Sequence, residues 1–379
     1  MHWQIAWYHQ INDFSSLPVT LPELTEIIQV TSNLNGGELR ITLTNQFGRQ
    51  PLIFDQIEVG LDPLFHVKQP LLFHNSQIFK IPVGQIISSD PCQLPVHSGQ
   101  KLYFRISSSF KQTYCDFAST YNTELTNTSL VRRCDHLPTL RTTFNARRGW
   151  FSLAQVEILS GTSAKIIEFT GDSLTEMGLI SDSLTKMLYA KYPKQLTVLN
   201  SGISGNRLIW DAPQDQPLYQ TFGPSLQTRL PKLLRQHHPA VVICFAGGND
   251  LMLPLISQQA LSQQVMAPQF MAHVEQLYKL VEVNNSQLIF SDLLPFKLSH
   301  GQVHHSMAYD QALATRQKIN WHLAQHTGIF ASTATAVVDK NQLVATYDLG
   351  DHLHLNKTGG QLLAQQLLPV VEKIIAVDQ

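Results

Sequence analysis

Four short stretches of this 379-residue chain hold the residue types that ester chemistry uses: Gly171-Asp172-Ser173-Leu174, Asn200-Ser201-Gly202-Ile203-Ser204-Gly205-Asn206-Arg207, Gly247-Gly248-Asn249-Asp250 and Gly350-Asp351-His352-Leu353-His354. A serine hydroxyl becomes a nucleophile beside a base, and the base needs a third group to orient it. Asp351-x-x-His354 can supply both from one turn, because a three-residue offset brings a carboxylate beside Nδ1 and leaves Nε2 free for Ser173. Attack on a carbonyl develops a negative oxygen that needs donors already in place, each worth roughly 3 kcal/mol in comparable sites. Gly205 offers a backbone N–H with no side chain in the way, Asn249 offers a carboxamide, and the Ser173 N–H would point at the same charge from a helix start. Taken singly each has a plainer reading. Ser173 serves as a helix N-cap, Gly205 and Asn249 as turn formers, and Asp351 with His354 as a loop pair.

The elements that carry these stretches favour the joint reading. After about residue 160, β-branched runs alternate with helical patterns: Ala164–Phe169, Leu196–Leu199, Ala240–Phe245 and Gln287–Phe290 read as central strands. Met177, Ile180, Leu184, Met187 and Leu188 share one helical face, and a last helix starts near Asn356 with Leu363, Leu367, Val370, Val371 and Ile374 inward. This βαβ order predicts a parallel sheet covered by helices, an α/β domain spanning residues 161–379. In such a sheet ligands gather at the carboxyl ends of strands, and the four stretches fall at predicted strand-end loops.

Residues 1–160 follow a different grammar. Glu38-Leu39-Arg40-Ile41-Thr42-Leu43-Thr44 alternates with period two, and short runs at Leu52–Phe54, Ile57–Val59, Phe79–Val83 and Leu102–Ile106 are separated by turn formers. Many short strands at this spacing predict an all-β sandwich or jelly roll. The balance of 27 Lys+Arg against 28 Asp+Glu argues against a nucleic-acid partner. The N-terminal residues show no signal sequence and no 18-residue apolar run follows, so a soluble, cytoplasmic protein without membrane insertion is expected. Cys92, Cys115, Cys134 and Cys244 lie far apart with no C-x-x-C pair, against both a thiolate zinc site and a disulfide framework.

The Ser173, Gly205, Asn249 and Asp351-x-x-His354 blocks resemble the SGNH (GDSL-type) hydrolase superfamily. Gly202 to Leu208, Gly223-Pro224-Ser225 with Arg229, Leu294-Pro295-Phe296, Arg316-x-x-Ile319-Asn320-x-His322 and Gly350 to Asn356 are similar to a bacterial esterase subgroup related to xylan-associated acetylesterases. In that subgroup a β-sandwich precedes the catalytic domain, and Leu39 to Gly48 with Pro51-Leu52 resembles its signature. The resemblance implies a three-layer, flavodoxin-like hydrolase domain. It also implies a serine esterase acting on short acyl esters, acetyl first among them, of small molecules or oligosaccharides. Ser173 would attack, His354 would shuttle the proton and Asp351 would orient it, while the Ser173 and Gly205 N–H groups and the Asn249 side chain held the oxyanion. No cofactor or metal is implied. The subgroup continues its serine block Ile-Thr-Asp-Gly, where this chain has Leu174-Thr175-Glu176-Met177-Gly178, which alters the expected pocket wall.

Two rival readings remain at this point: a glycan-binding protein with an inactive hydrolase-like domain, and an acyltransferase using the same triad. Histidine pairs at His352-x-His354, His304-His305 and His237-His238 lack the companions of a zinc site. Trp210 has two readings, a cap on an acyl pocket or packing between domains, and Phe296 shares the same two. Asp172, next to the serine, is expected to face away from it in a structural role, and Asp250 to stabilise its own turn.

Overall fold

The computed structural model describes residues 1–298, 306–326 and 328–377. Residues 1–165 and 185–199 form one compact unit, and residues 166–184 and 200–379 form the other.

In the first unit Leu39, Ile41 and Leu43 are fully buried while Arg40 and Thr42 on the opposite face are half-buried, as a half-buried strand requires. That strand, Gly36–Asn45, pairs antiparallel with Leu153–Ser160, Gln85–Ser88 and Cys92–Val96, and His2–Tyr8 extends the sheet. A second antiparallel sheet runs Asn127–Val131, Leu24–Thr31, Lys101–Ser108, Gln56–Gly60, Lys68–Pro70. Ile41 and Leu43 of one sheet share an apolar cluster with Ile28, Phe104 and Ile106 of the other, so the sheets pack as a sandwich. Glu26 has the strand parity of Leu24 and Ile28 and is fully buried. Burial pushes its carboxyl up to about 8, against the pull of the Phe151 N–H that Oε2 accepts.

The same unit takes in residues 185–199. The Asn33 carboxamide donates to Tyr192 O at 3.0 Å and Leu196 O at 2.8 Å, and the Lys194 N–H donates to Asn33 O at 3.1 Å.

The parallel sheet contains β1 (Lys165–Gly171), β2 (Leu196–Gly202), β3 (Val241–Phe245), β4 (Gln287–Ser291) and β5 (Ile329–Ala331) in the order β2-β1-β3-β4-β5. Pairs such as Phe169↔Ile243 and Ile243↔Ile289 run parallel, and every residue of β3 is buried, as expected of a strand covered on both faces. The order reverses between β1 and β3, so the ligand crevice of such a sheet lies at their carboxyl ends.

Of the helical face expected from Met177 to Leu188, Leu184, Met187 and Leu188 lie in α2 (Ser181–Lys191), whereas Met177 follows the end of α1 (Ser173–Glu176) and Ile180 precedes α2. Gly178, at φ +74°, breaks the run. The remaining helices are α3 (Pro217–Gln220), α4 (Leu226–His237), α5 (Gly248–Ile256), α6 (Ala267–Val283), α7 (Ser306–Ala324) and α8 (Lys357–Val377). Asn356 caps α8 by accepting the Gly359 N–H at 3.0 Å. Leu363, Leu367, Val371 and Ile374 point inward, whereas Val370 lies half-buried on the helix flank.

Candidate active site

Ser173 opens α1 directly after β1. The turn is possible because Gly171 takes φ +133°, where a Cβ would stand 1.8 Å from Phe245 O of β3. Asp172 caps the helix: Oδ1 accepts the Leu174 N–H at 3.0 Å. The helix is a single turn, so its macrodipole is small, and what it offers an anion is the Ser173 N–H, which makes no hydrogen bond among the described residues.

Ser173 Oγ lies 2.8 Å from His354 Nε2, and His354 Nδ1 lies 2.6 Å from Asp351 Oδ2. Asp351 and His354 come from one turn before α8. Asp351 Oδ1 also accepts the N–H groups of Leu353 and His354, at 3.0 and 2.8 Å. Partial burial alone would raise the Asp351 carboxyl. The hydrogen bonds and charge of His354, with the Leu353 N–H, carry it down to about 2 instead. A carboxylate can only accept, so the Nδ1 proton faces Asp351 and the lone pair of a neutral imidazole faces the serine.

The two other sequence-derived donors come from the segments that follow β2 and β3. Gly205 takes φ +78°, its N–H makes no hydrogen bond among the described residues, and a Cβ there would stand 2.2 Å from the Phe222 ring. Asn249 begins the second position of α5, after β3. Its Nδ2 donates to Asn206 O at 3.0 Å and leans at 3.5 Å on Asp172 Oδ2, a long contact that leaves one N–H weakly engaged.

A family model for GDSL-like lipases and acylhydrolases matches residues 169–362, just over half of the chain. The chain belongs to the GDSL-like lipase/acylhydrolase family. It is a carboxylic ester hydrolase. Solved structures similar to it include a putative acylhydrolase from Bacteroides fragilis (16% identity, 55% of this chain and 87% of that one, TM-score 0.41). A GDSL-like lipase from Bacteroides thetaiotaomicron is similar at 18% identity, over 55% and 88% of the two chains, with TM-score 0.40. A variant of an acetyl xylan esterase from Geobacillus stearothermophilus is similar at 18% identity, over 55% and 94%, with TM-score 0.41. No curated protein matches the chain.

In this acylhydrolase the loop around Gly205 is braced by side chains to which the sequence alone assigned no such task. Glu176, almost fully buried, accepts the Ser204 N–H at 2.6 Å through Oε2. The departure from the subgroup's serine block therefore bears on the loop holding Gly205. Arg229 of α4 donates from Nε to Asn206 Oδ1 at 3.0 Å, from Nη1 to Ser201 O at 2.7 Å and from Nη2 to Gly171 O at 2.8 Å. It ties the ends of β1 and β2 to the loop. Asp250 reaches beyond its own turn, accepting the Leu208 and Ile209 N–H groups at 2.7 and 2.9 Å. Burial pushes its carboxyl up to about 6, with those N–H groups and Arg207 opposing.

Asp172 is a structural cap, yet it is not electrically remote. Burial pushes its carboxyl up to about 7, while the Leu174 N–H, His354 and Arg229 pull it down and Asp250 adds to the rise.

The Arg316 and Asn320 motif acquires a physical role as well. One turn apart on α7, they hold the loop after β4: Arg316 Nη1 and Asn320 Nδ2 donate to Leu293 O, and Asn320 Oδ1 accepts the Leu293 N–H.

Trp210 is half-buried against the apolar cluster of its own unit, and Phe296 is buried there with its ring edge-on to Tyr309. His237 pairs through Nδ1 with buried Glu168 at 2.7 Å, His238 ends α4 at φ +47°, and His304-His305 lies outside the described residues. Among the described residues no three His, Cys, Asp or Glu side chains converge as metal ligands, and no helix is long and apolar enough to cross a membrane. All four cysteines are free thiols.

Proposed function

We propose that the protein is a serine esterase that cleaves short acyl esters, acetyl first among them, through an acyl-enzyme on Ser173. The reading rests above all on the relay of two short hydrogen bonds, Ser173 Oγ to His354 Nε2 and His354 Nδ1 to Asp351 Oδ2. Ser173 Oγ attacks the ester carbonyl carbon as His354 Nε2 takes its proton, and Asp351, ionised down to about pH 2, stabilises the resulting imidazolium. The carbonyl oxygen becomes negative against the Ser173 N–H, the Gly205 N–H and the Asn249 carboxamide. Collapse expels the alcohol, which takes the proton from His354. Water, activated by the same imidazole, then releases the acid. Asn249 completes the site by turning its weakly held N–H from Asp172 to the oxyanion.

The preference for acetyl esters, including O-acetyl groups on carbohydrates, is supported by the motif resemblance to xylan-associated acetylesterases across residues 202–208 and 350–356. Residues 161–379 would form the catalytic domain and the sandwich an accessory one.

The test is turnover of p-nitrophenyl esters from acetyl to dodecanoyl by wild type and Ser173→Ala. The expected result is highest kcat/KM at the shortest chains and a loss of about 10⁴-fold or more in the variant. Undiminished turnover in Ser173→Ala would sink the nucleophile assignment. A wild type that cleaves no ester yet binds glycans would favour the inactive binding protein. Ester formation outrunning hydrolysis when a second alcohol is supplied would favour acyl transfer.

A further inference from the structure

Two residues before His354, His352 repeats its neighbour's device. The buried Asp348 carboxylate accepts the Gly350 N–H at 2.7 Å, the His352 N–H at 3.1 Å and His352 Nδ1 at 2.7 Å. This matches the way Asp351 holds His354. The His352 carbonyl accepts the Lys297 N–H at 3.1 Å, which ties this segment to the loop after β4.

His352 stands at φ +59°, a conformation that costs a non-glycine residue about 1 kcal/mol or more and persists where the surroundings over-determine it. Packing does not repay the strain, because the side chain is 59% exposed. Glycine or asparagine would meet the backbone requirement more easily. What the histidine supplies instead is an imidazole of fixed orientation. Its Nδ1 proton is committed to Asp348, and in the neutral ring Nε2 is a hydrogen-bond acceptor open to solvent.

The location gives that acceptor a use. An alcohol leaving the acyl carbon must place its oxygen against His354 Nε2 to receive the proton. Two residues of chain span at most about 7 Å, so the His352 backbone lies within that distance of the His354 backbone, within reach of a sugar-sized alcohol held at His354 Nε2.

We propose that His352 is a specificity residue: its Nε2 accepts a hydrogen bond from a second hydroxyl of the leaving alcohol, so the enzyme prefers esters of polyols or sugars. The proposal rests on the assignment of Ser173 and His354 above.

Three substrates test it: a methyl xyloside with one acetyl and free hydroxyls, the same glycoside fully acetylated, and phenyl acetate. His352→Gly relieves the positive φ and keeps the fold. It should lower kcat/KM for the monoacetylated glycoside about tenfold more than for the other two, mainly through KM, as expected for one lost hydrogen bond. His352→Asn, which tolerates this φ and presents an Oδ1 acceptor, should restore part of the difference. Equal losses on all three substrates, or no loss on any, would overturn the proposal. Ser173→Ala run beside these variants separates the two readings: turnover retained there overturns the nucleophile assignment, whereas turnover lost there with an unchanged substrate ratio in His352→Gly overturns His352 alone.

Discussion

Asp351 accepts hydrogen bonds from three donors on two residues, and only one of them belongs to the proposed relay. Asp351→Asn can keep the two backbone bonds through its carbonyl oxygen while turning an amide N–H toward His354 Nδ1. That favours the tautomer whose proton faces Ser173, and kcat should fall by about 10⁴-fold with the fold intact. A loss below tenfold would reduce the relay to a Ser173–His354 pair. Glu176 makes a gentler prediction. Glu176→Leu removes the acceptor of the Ser204 N–H and frees the neighbouring Gly205 peptide, so kcat should drop about 100-fold with little change in KM, the magnitude of one misplaced oxyanion donor. Glu176→Gln keeps an acceptor and should retain most activity, and steady-state kinetics on p-nitrophenyl acetate would show equal losses in both variants if the carboxylate's charge were what mattered. The contrast between these residues explains what could be read from the chain. Ser173, Asp351 and His354 are legible because their spacing is local or their types are rare in combination. Glu176 and Arg229 act on backbone groups 28 and 58 residues away, and nothing in their neighbourhood announces that partner.

At the scale of elements, the four strongly patterned strands of the parallel sheet were legible, as were short sandwich strands such as Leu52–Phe54, and the last strand of the parallel sheet was not. Buried runs such as Val241–Phe245 leave a continuous apolar signature, whereas β5, only three residues with two half-buried, leaves none. The division of the first helix was hidden for a different reason. Apolar spacing continues across Met177 and Ile180, both buried, and the break is set by the backbone of Gly178, which periodicity does not register. Glu26 on strand Leu24–Thr31 is the clearest conflict between an element and its residue. Its carboxyl titrates near 8 in the folded state against 4.5 for an ordinary glutamate. Between those values the folded protein holds a proton that the unfolded chain has released, so stability falls as pH rises through this window. Glu26→Gln should flatten the fall between about pH 5 and 8 in denaturant midpoints. Parallel curves for variant and wild type would mean that the carboxyl is not held neutral.

For the whole molecule three buried carboxyls, Glu26, Asp172 and Asp250, act in one direction. Asp172 and Asp250, raised to about 7 and 6 by burial, add to the fall that Glu26 begins. Asp351, lowered to about 2 against 3.8, stabilises above that window and is lost only as pH drops through it. The stability maximum is therefore expected on the acid side of neutrality, near pH 4 to 5, and a pH series of thermal midpoints that peaks at 8 would contradict these assignments together. Chain connectivity adds a second property at this scale. The polypeptide leaves the sandwich unit after residue 165 and returns to it for 185–199, so a cut at residue 160 parts that segment from Asn33, which holds Tyr192 and Leu196.

The proposed base and its acid, by contrast, are joined within three residues of chain, and among the described residues only the 2.8 Å bond to Ser173 spans the 181 residues back to the proposed nucleophile. Heat or denaturant that loosens the tip before α8 would therefore disconnect the serine without dismantling the Asp351–His354 pair. Between Ser173 and the Asp351–His354 pair only that one bond has to be remade on cooling, and early thermal inactivation should be reversible.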